Sequence, residues 1–371
     1  MQLYIMSKEE IQEHQLYISS LSVLWNLWKE NRGSFSSKKM WCKILFFTTI
    51  SAPFRWLQNI IYKRRIEAID FKDNAPVFVI GHWRSGTTHL HYLLSKDSQF
   101  SYLEAFQAFF FRIALVTKKT MKPLLNRLMP RTRPQDNVAI DAGAPTEEEH
   151  PLTNLTHRSS MHSFFFPKNQ NYFRRYHLFD TSEKSINKWK NSYRRMLQEI
   201  SFYNGTDKRL LLKNPHNTAR IEVLKEMFPN AKFIFIHRNP FEVYQSTEHL
   251  YKKTIRSQFL QKFSDEEISE CVITCYELLM KQYLELKKNI PEGQLTEISF
   301  NELSMNPLNT LERIYLELNI DGFENIKPNF ESYIQEQKNY RKNKFIELPD
   351  ALKHKLQDRW GFAFKAWNYP H

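Results

Sequence analysis

The chain has 371 residues, with 53 basic and 40 acidic side chains and a formal net charge of +13. This balance favours anionic ligands or anionic surfaces. The basic residues are spread along the chain without a zinc-finger or RNA-recognition signature, so we expect no nucleic-acid partner. Three cysteines, Cys42, Cys271 and Cys275, provide neither a disulfide framework nor a tetrahedral metal set, and we expect no metal site.

The pattern of residues 1–70 predicts helices, because Trp25, Trp28 and other apolar residues recur at intervals of three and four positions. The first twenty residues carry charged side chains where a secretory signal would have an apolar core. We therefore expect a cytoplasmic protein. We place a boundary between this N-terminal helical segment and a main domain at 71–371.

The least charged part of this segment, Ile44 to Phe54, is about half as long as the ~20 residues needed to cross a bilayer. Basic residues flank it on both sides, and Trp41 and Trp56 stand near its ends. Such a helix could lie at a membrane interface, giving peripheral contact with the inner membrane face. A helix packed on the main domain is the equal alternative.

The main domain begins with a strand, a loop and a helix. Val77 to Ile80 is a short apolar run typical of a buried strand. Gly81 to Thr88 can wrap an anion with backbone amides and hydroxyls, at the start of a helix whose leucines recur at helical spacing. Thr87 replaces the lysine of the nucleoside-triphosphatase loop, and Arg84 is the nearest cation. The loop therefore favours a phosphoanhydride ligand without ATP hydrolysis.

Two further strands follow, at Arg209 to Lys213 and Lys232 to Asn239, separated by a helix over Thr218 to Met227. Strands alternating with helices indicate a parallel sheet in an α/β fold. The remaining predicted elements are a helix over 265–288, a strand over Gln294 to Ser299 and a helix over Pro307 to Leu318.

A second candidate anion site lies in the unit that begins with the strand at Lys232. Arg238 comes just past the strand, and Ser246 is eight positions further on. The carboxyl ends of parallel strands face one crevice, so both residues belong on the same rim as Arg84 to Thr88. The alternative is that Arg238 pairs with Glu242 while Ser246 faces solvent.

Together, these motifs resemble those of sulfotransferases that use 3′-phosphoadenosine 5′-phosphosulfate (PAPS). The family's 5′-phosphosulfate motif matches Arg84, Ser85, Gly86, Thr87 and Thr88, and its 3′-phosphate motif matches Arg238 and Ser246. The resemblance covers roughly residues 75–368 and is closest to a bacterial branch with Gly-His-Trp-Arg-Ser-Gly-Thr-Thr and an aromatic terminal segment, here Trp360 to Trp367.

The resemblance implies a P-loop-like, three-layer α/β fold, a PAPS donor, the product adenosine 3′,5′-bisphosphate, and no metal. Arg341 and Lys342 fall where relatives place a loop over the nucleotide. His89 replaces a tryptophan that stacks on adenine in many members, and Trp83 could substitute for it.

Sulfuryl transfer to an alcohol needs a base, cations for the developing negative charge, and in-line positioning. Lys213 matches a lysine of related sulfotransferases, and Arg84 would share its electrostatic role. Bacterial members have a glutamate-rich segment that resembles residues 144–152, so Glu147 is our first candidate base and Glu149 our second. The three adjacent carboxylates repel one another, and partial burial would raise the pKa of at least one of them. Thr146 and Glu149 could instead form a capping box, and His216 is a rival base.

The acceptor region is expected in the aromatic segments 102–135 and 150–176. Their phenylalanines could line a lipophilic cavity, although burial in the core is the more common fate of such residues. We expect a lipid or sterol alcohol as acceptor, with a carbohydrate hydroxyl as the alternative. An ATP-dependent P-loop kinase is a further possibility, which the missing lysine disfavours. A protein that binds nucleotide or membrane without catalysis is another. The residues of the candidate acceptor lining are Phe106, Phe109, Phe110, Phe111, Phe164, Phe165 and Phe166.

Overall fold

The computed structural model describes residues 14–32, 34–72, 74–133, 138–337 and 345–370. Its centre is a five-stranded sheet in which every pair of neighbouring strands is parallel. The spatial order of the strands is β2-β3-β1-β4-β5. The strands are β1 (Val77–Ile80), β2 (Phe100–Ser101), β3 (Arg209–Lys213), β4 (Lys232–His237) and β5 (Leu295–Ser299).

Both faces of this sheet are buried. In the central strand, Phe78 and Ile80 join one hydrophobic cluster while Val77 and Val79 join another. This alternation follows from the two-residue period of a strand, which points successive side chains to opposite faces. Helices cover both faces, as parallel sheets require. The predicted three-layer α/β architecture is confirmed.

Sixteen α-helices surround the sheet in the described parts of the chain. They are α1 (Leu21–Glu30), α2 (Lys38–Ile50), α3 (Ala52–Glu67), α4 (Thr87–Leu94), α5 (Ala105–Phe110), α6 (Ala114–Leu128), α7 (Glu149–Leu155), α8 (Gln170–Leu178), α9 (Glu183–Asn204), α10 (Ile221–Met227), α11 (Pro240–Lys253), α12 (Asp265–Leu286), α13 (Phe300–Met305), α14 (Pro307–Glu317), α15 (Phe323–Glu336) and α16 (Asp350–Ala366).

The predicted elements of the main domain agree closely with these bounds. The strand at Arg209–Lys213 is as predicted, and the helix after β4 begins at Pro240. The helix predicted from Thr218 is shorter than expected. Its first residues belong to a short 3-10 helix, Pro215–Ala219, and the α-helix begins at Ile221.

The N-terminal segment is helical and packs into the larger of the two sheet-flanking clusters. Leu16, Leu24 and Ile44 are fully buried there beside residues of the sheet. The N-terminal segment before residue 71 and the main domain after it therefore contribute to the same hydrophobic core. Within the described residues, none of the helices combines the length and the apolar character needed to cross a bilayer.

Candidate functional site

A cleft of about 370 Å³ opens at the carboxyl edge of the sheet. The three central strands, β3, β1 and β4, end side by side at this edge. Both predicted anion motifs reach the cleft from there. Its lining includes Arg84, Gly86, Thr87, Thr88, Arg238 and Ser246.

Two glycines allow the loop after β1 to lie against its neighbours. A Cβ atom on Gly81 would stand 2.3 Å from the backbone oxygen of Ile236, and one on Gly86 would stand 2.4 Å from the ring of Phe300. Both glycines also have positive φ angles. Arg84 adopts φ +69°, a left-handed conformation that side chains other than glycine rarely take and that is concentrated at functional sites.

The two motifs are joined by direct hydrogen bonds. The Arg84 Nε donates to the Ser246 Oγ at 2.8 Å, and the Arg238 Nη1 donates to the Arg84 backbone oxygen at 3.3 Å. Arg238 also pairs with Glu242, as the alternative interpretation predicted. Ser246, however, is buried rather than facing solvent. A single ligand can therefore contact both motifs.

Ser85 differs from its neighbours in the loop. Its side chain is buried, and its hydroxyl donates to the His82 backbone oxygen at 2.7 Å, inside the loop. The backbone amide of Ser85 bonds to the same oxygen at 3.2 Å. In this geometry Ser85 stabilises the turn by hydrogen bonds within the loop, whereas Thr87 and Thr88 line the cleft.

Trp83 does not lie where the adenine hypothesis needs it. It is buried and packs edge-on against Phe164, His177 and His216, away from the lining of the cleft. The expected substitution by Trp83 is therefore wrong. The aromatic residues that do line the cleft are Tyr92, Phe300, Tyr333 and Phe345, together with His89.

Lys213, at the end of β3, forms an ion pair below the loop. Its side chain is only 2% exposed, and its Nζ lies 2.5 Å from the Glu147 Oε1 and 3.4 Å from the Thr88 Oγ1. The Glu147 side chain is 16% exposed, so solvent or a ligand can reach it. The pair thus connects the glutamate run to the start of α4.

The charges of this pair depend on each other. Burial alone would raise the pKa of Glu147, but the adjacent Lys213 ammonium reverses that effect and holds the pKa of this carboxyl below its ordinary value. Burial lowers the pKa of Lys213, and the Glu147 carboxylate offsets only part of that change. Glu147 is therefore ionised near neutral pH and able to accept a proton.

Glu149, our second candidate base, is held in the interior. Arg220 donates to both of its oxygens, at 2.6 and 3.0 Å, and neither side chain is exposed. Ser159 and Asn214 donate further bonds at 2.6 and 2.8 Å. Although burial opposes ionisation, these donors hold the pKa of Glu149 well below its ordinary value. This carboxylate cannot reach a substrate.

The predicted capping box is also wrong. Helix α7 begins at Glu149 with Glu148 as its N-cap residue, and no side chain caps it. The reason is that Arg220 engages both oxygens of Glu149, which would otherwise reach back toward the N-cap amide.

Glu148 is the member of the run with a raised pKa. Tyr193 and Asn217 donate to its Oε1 at 2.9 and 2.8 Å, while its Oε2 has no hydrogen-bond partner among the described residues. Burial raises the pKa of Glu148 to about 7. We expected repulsion and partial burial to raise the pKa of at least one of the three glutamates. The raised pKa belongs to Glu148, where burial is the main cause, and to neither candidate base.

His216 remains a rival to Glu147. Its Nδ1 lies 2.6 Å from the Ser160 Oγ, and its Nε2 has no partner among the described residues. Burial lowers the pKa of His216 to about 4, so the ring is neutral at pH 7. A neutral ring can accept a proton, but this one is almost fully buried.

Arg133 lines the cleft and was not singled out in the sequence. It lies close enough to Lys213 to lower the pKa of that residue. In the sequence, Arg133 lies in a stretch that prolines interrupt, from Pro130 to Pro151, and such loops beside a binding site commonly carry function. Arg341 and Lys342 lie outside the described residues.

Most of the candidate acceptor phenylalanines belong to the hydrophobic core. Phe110 is half-buried and Phe109 is exposed. Burial in the core, the common fate of such residues, therefore holds for the other five, and none of the seven lines the cleft described above. The buried members are Phe106, Phe111, Phe164, Phe165 and Phe166.

We expect Glu148→Gln to make unfolding less sensitive to pH. A carboxyl whose pKa is about 7 when folded and 4.5 when unfolded binds more protons in the folded state between those values. Stability contributed by its proton is therefore complete below pH 4.5 and is lost as pH rises toward 7. At pH 8 the variant should be more stable by up to about 3 kcal/mol, measured by urea unfolding.

Glu149→Gln is the matched control, one residue away and of opposite expected sign. It leaves the Arg220 guanidinium buried without its carboxylate, which costs roughly 3–5 kcal/mol at neutral pH. Equal destabilisation of the protein by both substitutions at pH 8 would contradict the separate environments described for the two carboxyls.

Comparison with known proteins gives consistent results. A family model described as the sulfotransferase family matches residues 76–325. The omega-hydroxy-beta-dihydromenaquinone-9 sulfotransferase Stf3 of Mycobacterium tuberculosis and that of Mycobacterium bovis are each 28% identical to this chain over 325 residues, covering 87% of the chain and 82% of the relative.

Two solved structures have a similar fold at 18% identity. The sulfotransferase STF9 of Mycobacterium avium aligns with a TM-score of 0.65 over 94% of this chain and 97% of its own. STF1 of Mycobacterium tuberculosis H37Rv aligns with a TM-score of 0.63 over 86% of this chain and 87% of its own. The matched region contains the loop, the ion pair and the second anion motif. This chain is an enzyme that belongs to the sulfotransferase family.

Proposed function

We propose that this enzyme transfers the sulfuryl group of PAPS to the hydroxyl group of a lipophilic acceptor. The observation that carries the proposal is a single cleft whose wall has three guanidinium groups, those of Arg84, Arg133 and Arg238, with a lysine–glutamate pair beside it. The guanidinium groups suit a doubly anionic nucleotide, while the pair supplies a cation and a base to one reaction centre.

Each end of the donor has a matching part of the cleft. The loop and the start of α4 would hold the 5′-phosphosulfate, where the amino end of the helix favours negative charge. Arg238 and Ser246 would hold the 3′-phosphate. Arg238 would then exchange its partner Glu242 for a phosphate, which accepts charge-assisted hydrogen bonds from a guanidinium as a carboxylate does.

The reaction forms one bond and breaks another. The acceptor oxygen bonds to sulfur while the bond from sulfur to the bridging phosphate oxygen breaks, and the electron pair stays on the phosphate. Lys213 would stabilise that developing charge. Glu147 would take the acceptor's hydroxyl proton. Lys213 cannot serve both groups fully, so its movement toward the phosphate would leave Glu147 more basic.

The preference for a lipophilic acceptor is supported by the relatives of known activity. By its name, Stf3 acts on omega-hydroxy-beta-dihydromenaquinone-9, which carries its hydroxyl on a long apolar molecule. The identity extends over most of both chains, so acceptors of the same chemical class are our first expectation.

We expect Glu147→Gln and Lys213→Ala each to reduce turnover by roughly 100-fold or more, because each removes a group that acts in the transition state. Binding of adenosine 3′,5′-bisphosphate should stay nearly unchanged. Single-turnover rates and calorimetric titration measure the two effects.

His216→Gln is the control for the rival base. Full activity in the glutamate and lysine variants, together with a large loss in the histidine variant, would transfer the role of base to His216. Circular dichroism spectra check that each variant is folded.

We expect Arg238→Ala to weaken binding of adenosine 3′,5′-bisphosphate by about ten- to a hundredfold, the worth of a charge-assisted hydrogen bond. Glu242→Gln should bind the nucleotide as well as or better than the unchanged enzyme, because it removes the carboxylate that competes for Arg238. The 2′,5′-bisphosphate isomer tests the position of the pocket. Equal weakening for both isomers would argue against a 3′-phosphate site.

Incubation with radiolabelled PAPS and a host lipid extract should give a labelled product that partitions into organic solvent. Lys213→Ala enzyme is the background control. Label found only in glycans would contradict the lipophilic acceptor while leaving the donor assignment in place.

A further inference from the structure

We propose that the paired helices α2 and α3 form a docking surface for an anionic phospholipid bilayer. Their outer face carries large apolar side chains that nothing in the described structure covers. Phe46 is 59% exposed, Trp56 is 68% exposed and Ile60 is 58% exposed. The further exposed apolar residues of this face are Ile50, Phe54, Leu57 and Ile61. An exposed apolar group of this size indicates an interaction site.

The helices are anchored from behind, so their outer face is presented on a fixed support. Ile44, Gln58 and Ile66 are buried against the body of the enzyme. Gln58 donates to the Glu199 Oε1 at 2.6 Å and to the Phe111 backbone oxygen at 3.3 Å. The exposed residues therefore alternate with anchoring ones at helical spacing, as in a helix that lies along an interface.

The charge of this surface indicates its partner. Helix α6 packs against α3, and Glu67 is the only acidic residue in the three helices. Basic side chains beside exposed apolar ones match a membrane with anionic headgroups, where each contributes an attractive interaction. The basic residues of the three helices are Lys38, Lys39, Lys43, Arg55, Lys63, Arg64, Arg65, Lys118, Lys119, Lys122 and Arg127.

A second copy of the chain fits this surface poorly. A two-fold interface places the same patch on both sides, so rows of basic residues would face one another without carboxylates between them. Trp56 is also the most exposed apolar side chain of this face, and tryptophan is enriched at the level of lipid headgroups. The charge and the aromatic content together favour a bilayer.

The surface is connected to the candidate active site through α6. Lys122 of α6 pairs with Glu104 at 2.6 Å, and Glu104 forms a β-bridge with Pro145, two residues before Glu147. A lipid alcohol leaving the bilayer would thus enter close to the base. This last point rests on the proposed function, whereas binding to the bilayer does not.

Vesicle co-sedimentation without donor or acceptor tests the surface directly. The enzyme should bind vesicles of phosphatidylcholine and phosphatidylglycerol, and bind poorly to phosphatidylcholine alone. Raising the salt from about 0.1 M to about 1 M should release part of the bound enzyme, because the charges are screened. Failure to bind the anionic vesicles at the lower salt concentration would overturn the proposal.

The double variant Trp56→Ala/Ile60→Ala should bind anionic vesicles roughly tenfold more weakly or worse, because two inserted side chains are lost. The matched control is Met305→Ala/Leu316→Ala, which removes two equally exposed apolar residues of α13 and α14. It should bind like the unchanged enzyme. Thermal unfolding shows whether both double variants are folded.

Other outcomes would assign the face elsewhere. Equal vesicle binding by the two double variants would overturn the proposal. So would a concentration-dependent dimer that dissociates only in the Trp56→Ala/Ile60→Ala enzyme, because that result assigns the face to a second copy. If the unchanged enzyme bound the anionic vesicles but transferred no sulfuryl group from PAPS, that result would count against the proposed function alone.

Discussion

The close approach of the loop after β1 to its neighbours is the constraint on which the cleft depends. Gly81 lies against the backbone of β4, and Gly86 lies against the ring of Phe300. No side chain larger than hydrogen fits at either position without movement of the surrounding chain. That proximity brings the backbone of Arg84 within hydrogen-bonding distance of Arg238. Two motifs separated by about 150 residues in sequence thereby become one binding surface.

The run of three glutamates illustrates how neighbouring residues of one type acquire different properties. Glu147 meets a lysine at the edge of the cleft, Glu148 meets two uncharged donors, and Glu149 meets a buried arginine. Because loss of solvation raises the pKa of each of the three carboxyls, the partner decides whether the group is neutral or charged. Only Glu147 is both ionised and partly exposed, and its lysine partner lies 3.4 Å from Thr88 on the wall of the cleft.

The sequence predicted the features of the fold that depend on local patterns. The apolar strands, the glycine loop and the arginine after β4 are all readable from consecutive residues. The partners of individual side chains are not, because they come from distant segments. Glu149 could not be separated from Glu147 without knowing that Arg220 lies beneath it, and Trp83 could not be placed without the histidines that pack around it. Arg133 belongs to a segment without periodicity, so no pattern distinguished it from other surface cations.

The ion pair between Lys213 and Glu147 also bears on the sequence of events in turnover. While the two remain 2.5 Å apart, the ammonium holds the pKa of Glu147 below its ordinary value, so the ionised carboxylate is a weak base toward an alcohol proton. Arrival of a nucleotide with its own negative charge would draw the ammonium away. Activation of the alcohol would then be coupled to the presence of the group it is to receive. Such coupling would favour an ordered scheme in which the nucleotide enters first, and it would keep the empty enzyme from deprotonating alcohols that reach it alone.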